Sequence, residues 1–327
     1  MENFKLERPE TGISDLIFTE LLKRGFETKE GKRIWNIADS KLWYLSPKQS
    51  QGYLDITHTQ EYEENVVKKE INLLNKILPK LSDSISNKSF NLLDLGCGDG
   101  NKAALFIQKL SGVTELRYCP IDISSYMVQT AAKNIRNSGL SEKVIEMKWN
   151  VSDFENLVNV TPLFREGEFS NHILMLLGNT LGNFNIRTIL HGVKQGMKAG
   201  DILVISNGVV EKDVDPEIVV KAYNNETINE WLSQVPKSVG LEDSDIEFHT
   251  IFRNSRVEEF YKVKTNKTVK ALGQEISFKE GDEILVAISN KYTPEGLEQE
   301  IGFHFKESEI LLNEDRSYAV VIVKMTE

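Results

Sequence analysis

The stretch from Asn91 to Lys102, Asn-Leu-Leu-Asp-Leu-Gly-Cys-Gly-Asp-Gly-Asn-Lys, restricts the fold more than any other part of the chain. A short apolar run breaks into glycines at alternate positions, Gly96, Gly98 and Gly100, and an Ala/Leu/Phe/Ile pattern at helical spacing follows from Ala103 to Leu110. That order is a strand, a tight turn and a helix N-terminus. Glycine is needed there because the backbone takes conformations that a Cβ obstructs, and because a ligand approaches the main chain closely. The free N–H groups of the new helix then face that ligand.

Further apolar strands with intervening helices surround this turn. Strands are expected at Asn91 to Leu95, Leu116 to Ile121, Val144 to Trp149, Asn171 to Leu177 and Ile202 to Ser206, with helices at Ser125 to Ser138 and Ile186 to Met197. Parallel-type strands alternating with helices at this spacing imply a doubly wound α/β sheet, its ligand at the carboxyl ends of the strands. A helix from Glu64 to Leu81 precedes the sheet, with Val66, Val67, Ile71, Leu74, Ile77 and Leu78 on one face. After Gly208 the rhythm changes: helices over Val214 to Leu232, then short strands from His249 to Ala287 with turns at Asn266-Lys267, Leu272-Gly273 and Gly281-Asp282. A helix from Thr293 to Gly302 and a closing pair, Phe303 to Leu312 and Tyr318 to Lys324, complete the chain. The expected division is a nucleotide-type domain of residues 62–208 and 288–327, and a smaller α+β lobe of residues 1–61 and 209–287.

A chain of 327 residues is long enough for both. Its formal net charge of −10, with no basic run longer than a pair of lysines, argues against a nucleic-acid partner. Cys97 and Cys119 form no metal-ligand spacing and no disulfide framework, and no metal site is expected. Without an N-terminal apolar h-region or a bilayer-length apolar run, the expectation is a soluble cytoplasmic protein with no membrane partner.

Gly-x-Gly-x-Gly differs from the dinucleotide pattern Gly-x-Gly-x-x-Gly, and with Asp94 two residues ahead of Gly96 it is the usual opening of an S-adenosylmethionine (SAM) site. Asp122 ends the second strand, where a carboxylate can accept both ribose hydroxyl hydrogens; the alternative is a helix cap, a role Ser124 or Ser125 could also take. Asp153 and Phe154 follow the third strand. In SAM sites an acid here takes the adenine amino group while the aromatic packs on the ring; otherwise the pair starts a helix. Lys102 sits in the first helical turn, where a cation opposes the helix dipole, and the methionine carboxylate of SAM is the natural counter-charge.

Leu177-Gly178-Asn179-Thr180-Leu181-Gly182-Asn183-Phe184 is the second distinctive stretch. Its glycines and asparagines, Gly178 among them, make a loop able to hold an amine and a carboxylate while leaving the amine free to attack. Together with Tyr118-Cys-Pro-Ile-Asp-Ile-Ser124, Lys102 six places after Gly96, Ser152-Asp153-Phe154, Lys221-Ala222-Tyr223-Asn224 and Ile288-Ser289-Asn290-Lys291-Tyr292-Thr293, it resembles the histidine-specific SAM-dependent methyltransferases of ergothioneine biosynthesis. That family includes relatives that N-methylate tryptophan derivatives. The resemblance runs from about Tyr44 to the C-terminus, with the motifs in order.

The resemblance implies a Rossmann-like class I SAM methyltransferase sheet, with the smaller lobe as a substrate-binding lid, SAM as cofactor and a free amino acid as substrate. Asn183 matches an asparagine that binds the amino-acid head group. Tyr223 and Tyr62 match tyrosines near the substrate amine and carboxylate, and Tyr44 and Tyr53 fall where the family's N-terminal segment closes over the site. Ser289 matches a serine touching the substrate side chain. Two residues earlier the histidine enzymes carry a glutamate that binds imidazole, and this chain has Ala287. Glu259 falls where the family has a pocket methionine; either the carboxylate has moved to the neighbouring strand or Glu259 points to solvent. The expected reaction is methyl transfer to the α-amino nitrogen of histidine or a similar amino acid, up to the trimethylated betaine, by a monomer or weak dimer. Alternatives are a tryptophan N-methyltransferase, methylation of a protein side chain and a non-catalytic SAM-binding regulator.

Overall fold

The apolar runs around Asn91 assemble into one twisted sheet, seen in a computed structural model that describes residues 11–85 and 88–326; residues 1–10 of the expected smaller lobe lie outside the described residues. In chain order the strands are β1 (Phe26–Lys29), β2 (Lys32–Asn36), β3 (Phe90–Leu95), β4 (Leu116–Asp122), β5 (Glu146–Met147), β6 (Asn150–Val151), β7 (Asn171–Leu176) and β8 (Ile202–Gly208). They continue with β9 (Ile246–Arg253), β10 (Arg256–Val263), β11 (Lys267–Ala271), β12 (Gln274–Phe278), β13 (Glu283–Asn290), β14 (Ser308–Leu312) and β15 (Tyr318–Lys324). The chain divides into two units, Thr57–Asp213 with Lys291–Glu327, and Met1–Ile56 with Val214–Asn290.

The first unit holds the large sheet, ordered β14-β15-β8-β7-β3-β4-β5, with β6 also pairing β4. Strands β3, β4, β7 and β8 run parallel, and β15 returns antiparallel to β8. Because successive side chains in a strand point to opposite faces, each strand feeds two cores. Leu92, Tyr118, Met175 and Val204 pack on one face with Leu74, Ile77 and Leu78 of the helix Lys68–Ile85. Leu93, Cys119, Leu174 and Leu203 pack on the other with Leu190 and Val193 of the helix Ile186–Gly196. Strand order reverses between β3 and β7, so the turns leaving these two strands flank the crevice where open α/β sheets bind ligands.

The second unit holds a five-stranded sheet, β1-β2-β13-β10-β9, and a separate hairpin β11–β12. Its core joins Trp35, Tyr261, Val263, Phe278 and Val286 to Ile17, Phe18 and Leu21 of the helix Thr11–Arg24.

Several expectations need correction. The third strand is two short pieces, β5 and β6, interrupted at Lys148 and Trp149; it lies at the sheet's edge, where among the described residues it pairs with β4 alone, and Trp149 is exposed. The helix beginning near Thr293 runs to His304, so β14 starts only at Ser308. Ile71 is not on the buried stripe of its helix, which is Glu70, Leu73, Leu74, Ile77, Leu78, Leu81 and Ile85. The hairpin β1–β2 has no counterpart among the expected strands, because its charged residues hide the alternation. Its two-residue turn, Glu30 (φ 51°) and Gly31 (φ 79°), has the left-handed backbone of tight hairpins.

Candidate active site

Three glycines make the turn after β3, each in the left-handed region: Gly96 at φ 71°, Gly98 at 52° and Gly100 at 77°. Their surroundings differ. A Cβ on Gly100 would lie 3.0 Å from the Ala131 backbone, so this glycine lets the helices Asn101–Leu110 and Ser125–Asn137 approach. A Cβ on Gly96 would lie 3.3 Å from the Phe154 ring and 3.5 Å from the Thr180 hydroxyl. One on Gly98 would meet nothing within 4 Å, which leaves the main chain open to a ligand there.

Two buried carboxylates lie at this turn. Asp122 ends β4, and its carboxylate accepts the Ser124 N–H at 2.9 Å. Burial pushes it up to about 6 against the pull of the Ser124, Gly98 and Ile123 N–H groups. The helix cap is Ser124, whose hydroxyl accepts the Met127 N–H, so Asp122 is not spent on capping. Asp94 accepts the Tyr118 hydroxyl at 2.9 Å, and burial raises it to about 7.

One carboxylate oxygen of Asp153, Oδ1, accepts the Glu155 N–H at 2.9 Å and starts a short helical turn, a use that leaves its other oxygen to be assigned. Phe154, beside it, packs edge-on to Phe184 with ring centroids 5.3 Å apart. The aromatic residue that follows the third strand thus meets the last residue of the Leu177–Phe184 motif, next to Gly96.

That motif forms the turn after β7. Gly178 (φ 73°) and Asn179 (φ 66°) are both left-handed, the second being the side chain besides glycine that tolerates this region best. The Asn179 Oδ1 accepts the Gly208 N–H at 2.6 Å, and the Thr180 hydroxyl donates to Leu177 O at 2.7 Å. A short helical turn over Thr180–Asn183 leaves Asn183 half-buried at its end.

What holds this turn is a residue that sequence reasoning missed. Glu70, 0% exposed, accepts the Gly178 N–H through Oε1 at 2.9 Å and the Ser206 hydroxyl through the same oxygen, while its Oε2 lies 3.0 Å from Lys102 Nζ. The counter-charge expected for Lys102 from its ligand is therefore already present within the chain. The available signal is an acid four residues before Leu74, on the apolar stripe.

Tyr62 ends a capped turn whose Thr59 hydroxyl accepts the Tyr62 N–H at 3.3 Å. A wide turn follows, in which the Lys68 N–H reaches back five residues to Glu63 O.

The second unit gathers the other expected residues. Tyr44 and Tyr53 meet at 5.3 Å and 89°, and both contact Trp231, at 5.7 and 5.4 Å. Trp231 belongs to none of the motifs in the sequence; its Nε1 donates to Gln49 O at 3.0 Å. The Tyr223 and Ser289 hydroxyls lie 3.4 Å apart. Glu259 stands directly opposite Ala287 in the β10–β13 register, and Val257 opposite Ser289. Residues paired in this way share one face of a sheet. Glu259 is 5% exposed, so the solvent-facing reading is withdrawn.

The strand order and the glycine turn define a class I SAM-dependent methyltransferase. The residues present fit the cofactor, since Gly98 leaves main chain open and Asp122 offers a buried carboxylate that capping does not use. The chain belongs to the histidine-specific, SAM-dependent methyltransferase family, whose family model matches residues 39–325. It is similar to the histidine N-alpha-methyltransferase of Mycolicibacterium smegmatis, 24% identical over 226 residues, 64% of this chain and 67% of that one. It is also similar to the histidine N-alpha-methyltransferase of Mycobacterium tuberculosis, 24% identical over 280 residues, 79% of this chain and 81% of that one. The solved structure of the PH0226 protein from Pyrococcus horikoshii aligns with a TM-score of 0.44 at 15% identity, covering 82% of this chain and 94% of that one. The chain is an enzyme that uses SAM. Among the described residues, no helix is long and apolar enough to cross a membrane.

Proposed function

We propose that the enzyme methylates the α-amino nitrogen of free histidine, in successive steps to the trimethylated betaine. The observation that carries the choice of histidine is the buried Glu259 carboxylate facing Ala287 across the sheet, on the face that also carries Ser289. A carboxylate on such a face favours a side chain with a hydrogen-bond donor or a positive charge, which gains an attraction there that an apolar ring does not. Imidazole supplies the donor and, when protonated, the charge, whereas an indole supplies a donor alone. The family's glutamate at the position of Ala287 is thus replaced from the neighbouring strand, a relocation of one cross-strand pair.

When bound, SAM supplies an electrophilic methyl group on its sulfonium. We assign Asp122 to the ribose hydroxyls, Asp153 and Phe154 to the adenine, Lys102 to the methionine carboxylate, and Gly96 and Gly98 to close main-chain approach. Asn183, in the turn that Gly178 opens, takes the amino-acid head group, and Gly178 shapes that subsite through its backbone. The Tyr62 and Tyr223 hydroxyls accept hydrogen bonds from the amine and orient its lone pair. No strong base is required, because the amine can lose its proton to water before each transfer. The rings of Tyr44 and Tyr53 provide faces that tolerate a methylated cation. The same reading has the enzyme in the cytoplasm as a monomer or weak dimer with no nucleic-acid partner, in keeping with its net charge of −10.

The test is incubation of the purified enzyme with methyl-labelled SAM and free amino acids offered one at a time. Label should enter histidine, and Glu259→Ala should abolish that preference while leaving SAM binding intact. Preferred labelling of tryptophan, unaltered by Glu259→Ala, would overturn the assignment.

A further inference from the structure

We propose that Glu70 is a positioning residue that couples the SAM subsite to the amino-acid subsite; this rests on the assignment of Lys102 to SAM and of the Gly178–Asn183 turn to the amino acid. One buried carboxylate holds both. Its Oε2 lies 3.0 Å from the Lys102 ammonium, on the helix that follows the glycine turn, and its Oε1 takes the N–H of Gly178, in the turn that leaves β7. The Ser206 hydroxyl on β8 donates to the same Oε1 and accepts the Gly178 N–H at 3.0 Å, so the carboxylate is fixed from a third element. The Lys102 ammonium occupies the space that a Cβ on Gly178 would fill. Any movement of the ammonium toward a ligand is therefore transmitted to Glu70 and to the backbone of the second turn.

A charged group at this depth is costly unless paired and hydrogen-bonded, and the pair replaces neither the cofactor nor the substrate. Lys102 keeps 28% of its side chain exposed, whereas Glu70 has none. The exposed end of the pair can meet an anionic ligand while the buried end stays with Gly178. The wide turn at Glu63–Val67 serves the same arrangement. Eight residues of regular helix would set Tyr62 and Glu70 about 80° apart around the axis, and the extra residue of one wide turn brings them to about 20°. Tyr62 is thereby carried to the side of the helix on which Glu70 anchors both turns.

A ligand that orders Lys102 thus lowers the ordering cost for the ligand of the second turn, and the effect is reciprocal. Calorimetric titration of S-adenosylhomocysteine with and without saturating histidine reads the coupling as a ratio of affinities. The wild type should give a ratio of at least about five, the low end for coupled sites, and Glu70→Gln should bring it to about one. Breaking a buried pair also lowers stability, so the double variant Glu70→Gln with Lys102→Met is the control. Removing both charges should recover the melting temperature lost in Glu70→Gln while the ratio stays near one, and it keeps the test available if Glu70→Gln does not fold. A wild-type ratio retained in Glu70→Gln, or in the double variant, would overturn the coupling role, as would a wild-type ratio near one. The underlying assignment fails separately: it falls if Lys102→Met leaves S-adenosylhomocysteine affinity unchanged, or if Asn183→Ala leaves histidine affinity unchanged.

Discussion

The turns that leave β3 and β7 stand side by side, since Leu95 pairs with Leu176 in parallel register, yet they are built on different principles. The first is made by its own sequence. Three glycines supply the backbone angles, a strand-end carboxylate follows on the neighbouring strand, and the helix N-terminus lies within the same segment. The second also opens on two left-handed residues, but its hold on the fold is remote: Glu70 lies 108 residues away in sequence and Ser206 lies 28 away. On the proposed assignment, the cofactor is met by a turn whose backbone angles come from its own glycines, whereas the turn given to the substrate is tied to the particular helix and strand that surround it.

Substituting one glycine in each turn should separate the two designs most widely. Gly98→Ala and Gly178→Ala each force a side chain into the left-handed region, roughly 1–2 kcal/mol of strain. At Gly98 the new Cβ meets nothing, while at Gly178 it displaces the Lys102 ammonium from its place beside the buried Glu70 carboxylate. Gly178→Ala should therefore be the less stable variant in urea denaturation and should lose histidine turnover more than a hundredfold. Equal stability losses would mean that the second turn is as self-contained as the first.

Asp122 tests the first turn at the level of charge. Asp122→Ala should weaken SAM binding by roughly 1.5–3 kcal/mol, the range for a charged hydrogen-bonding group. The carboxylate is raised to about 6 by burial, so without ligand its ionised form is disfavoured in the folded state and the stability associated with protonation is lost as pH rises through 6. Ribose hydroxyls donating to it favour ionisation. SAM affinity should accordingly fall as pH drops below about 6, with a flatter profile in Asp122→Asn over the same range. An unchanged profile in Asp122→Asn would assign the titration elsewhere, with Asp94 the next carboxylate at the turn.

The opposite ends of the same strands give the smallest effect. His172, fully buried near the start of β7, accepts from the Asn91 side chain at 3.2 Å and donates to Thr161 O at 3.0 Å, which fixes it as the neutral ring. Burial, reinforced by Arg165, lowers it to about 4. A depressed value means that protonation favours the unfolded chain, so the stabilisation is complete above about 6.5 and is lost as pH falls toward 4, on the order of 2–3 kcal/mol. Denaturation midpoints measured across that window should decline in the wild type and decline less in His172→Gln. Parallel declines would remove His172 as the cause.

The same contrast explains what can be read in the sequence. The sheet and the first turn are legible because their demands are local: continuous apolar runs for strands buried on both faces, positive φ at three glycines and an acid at a strand end. Gly178 and Asn183 are visible as a motif, but Glu70 escapes notice because a single acid on an apolar helix stripe has no meaning until its partners Lys102 and Gly178 are placed in space. Periodicity alone puts Ile71 on that stripe in its stead. Glu259 can be aligned with a pocket position, but only the β10–β13 register sets it opposite Ala287 and buries it. Trp231 and the hairpin β1–β2 depend on tertiary neighbours, and neither carries a local signal strong enough to name beforehand.

The most direct measurement is the position of the transferred methyl group. Histidine should be reacted with SAM carrying a carbon-13 methyl, and the product examined by heteronuclear correlation NMR. If Asn183, Tyr62 and Tyr223 orient the amine while Glu259 holds the imidazole, every labelled methyl will correlate with the α-carbon and none with the ring carbons. Label on an imidazole nitrogen would contradict the proposed orientation, and unlabelled histidine recovered with SAM bound would contradict the proposed substrate.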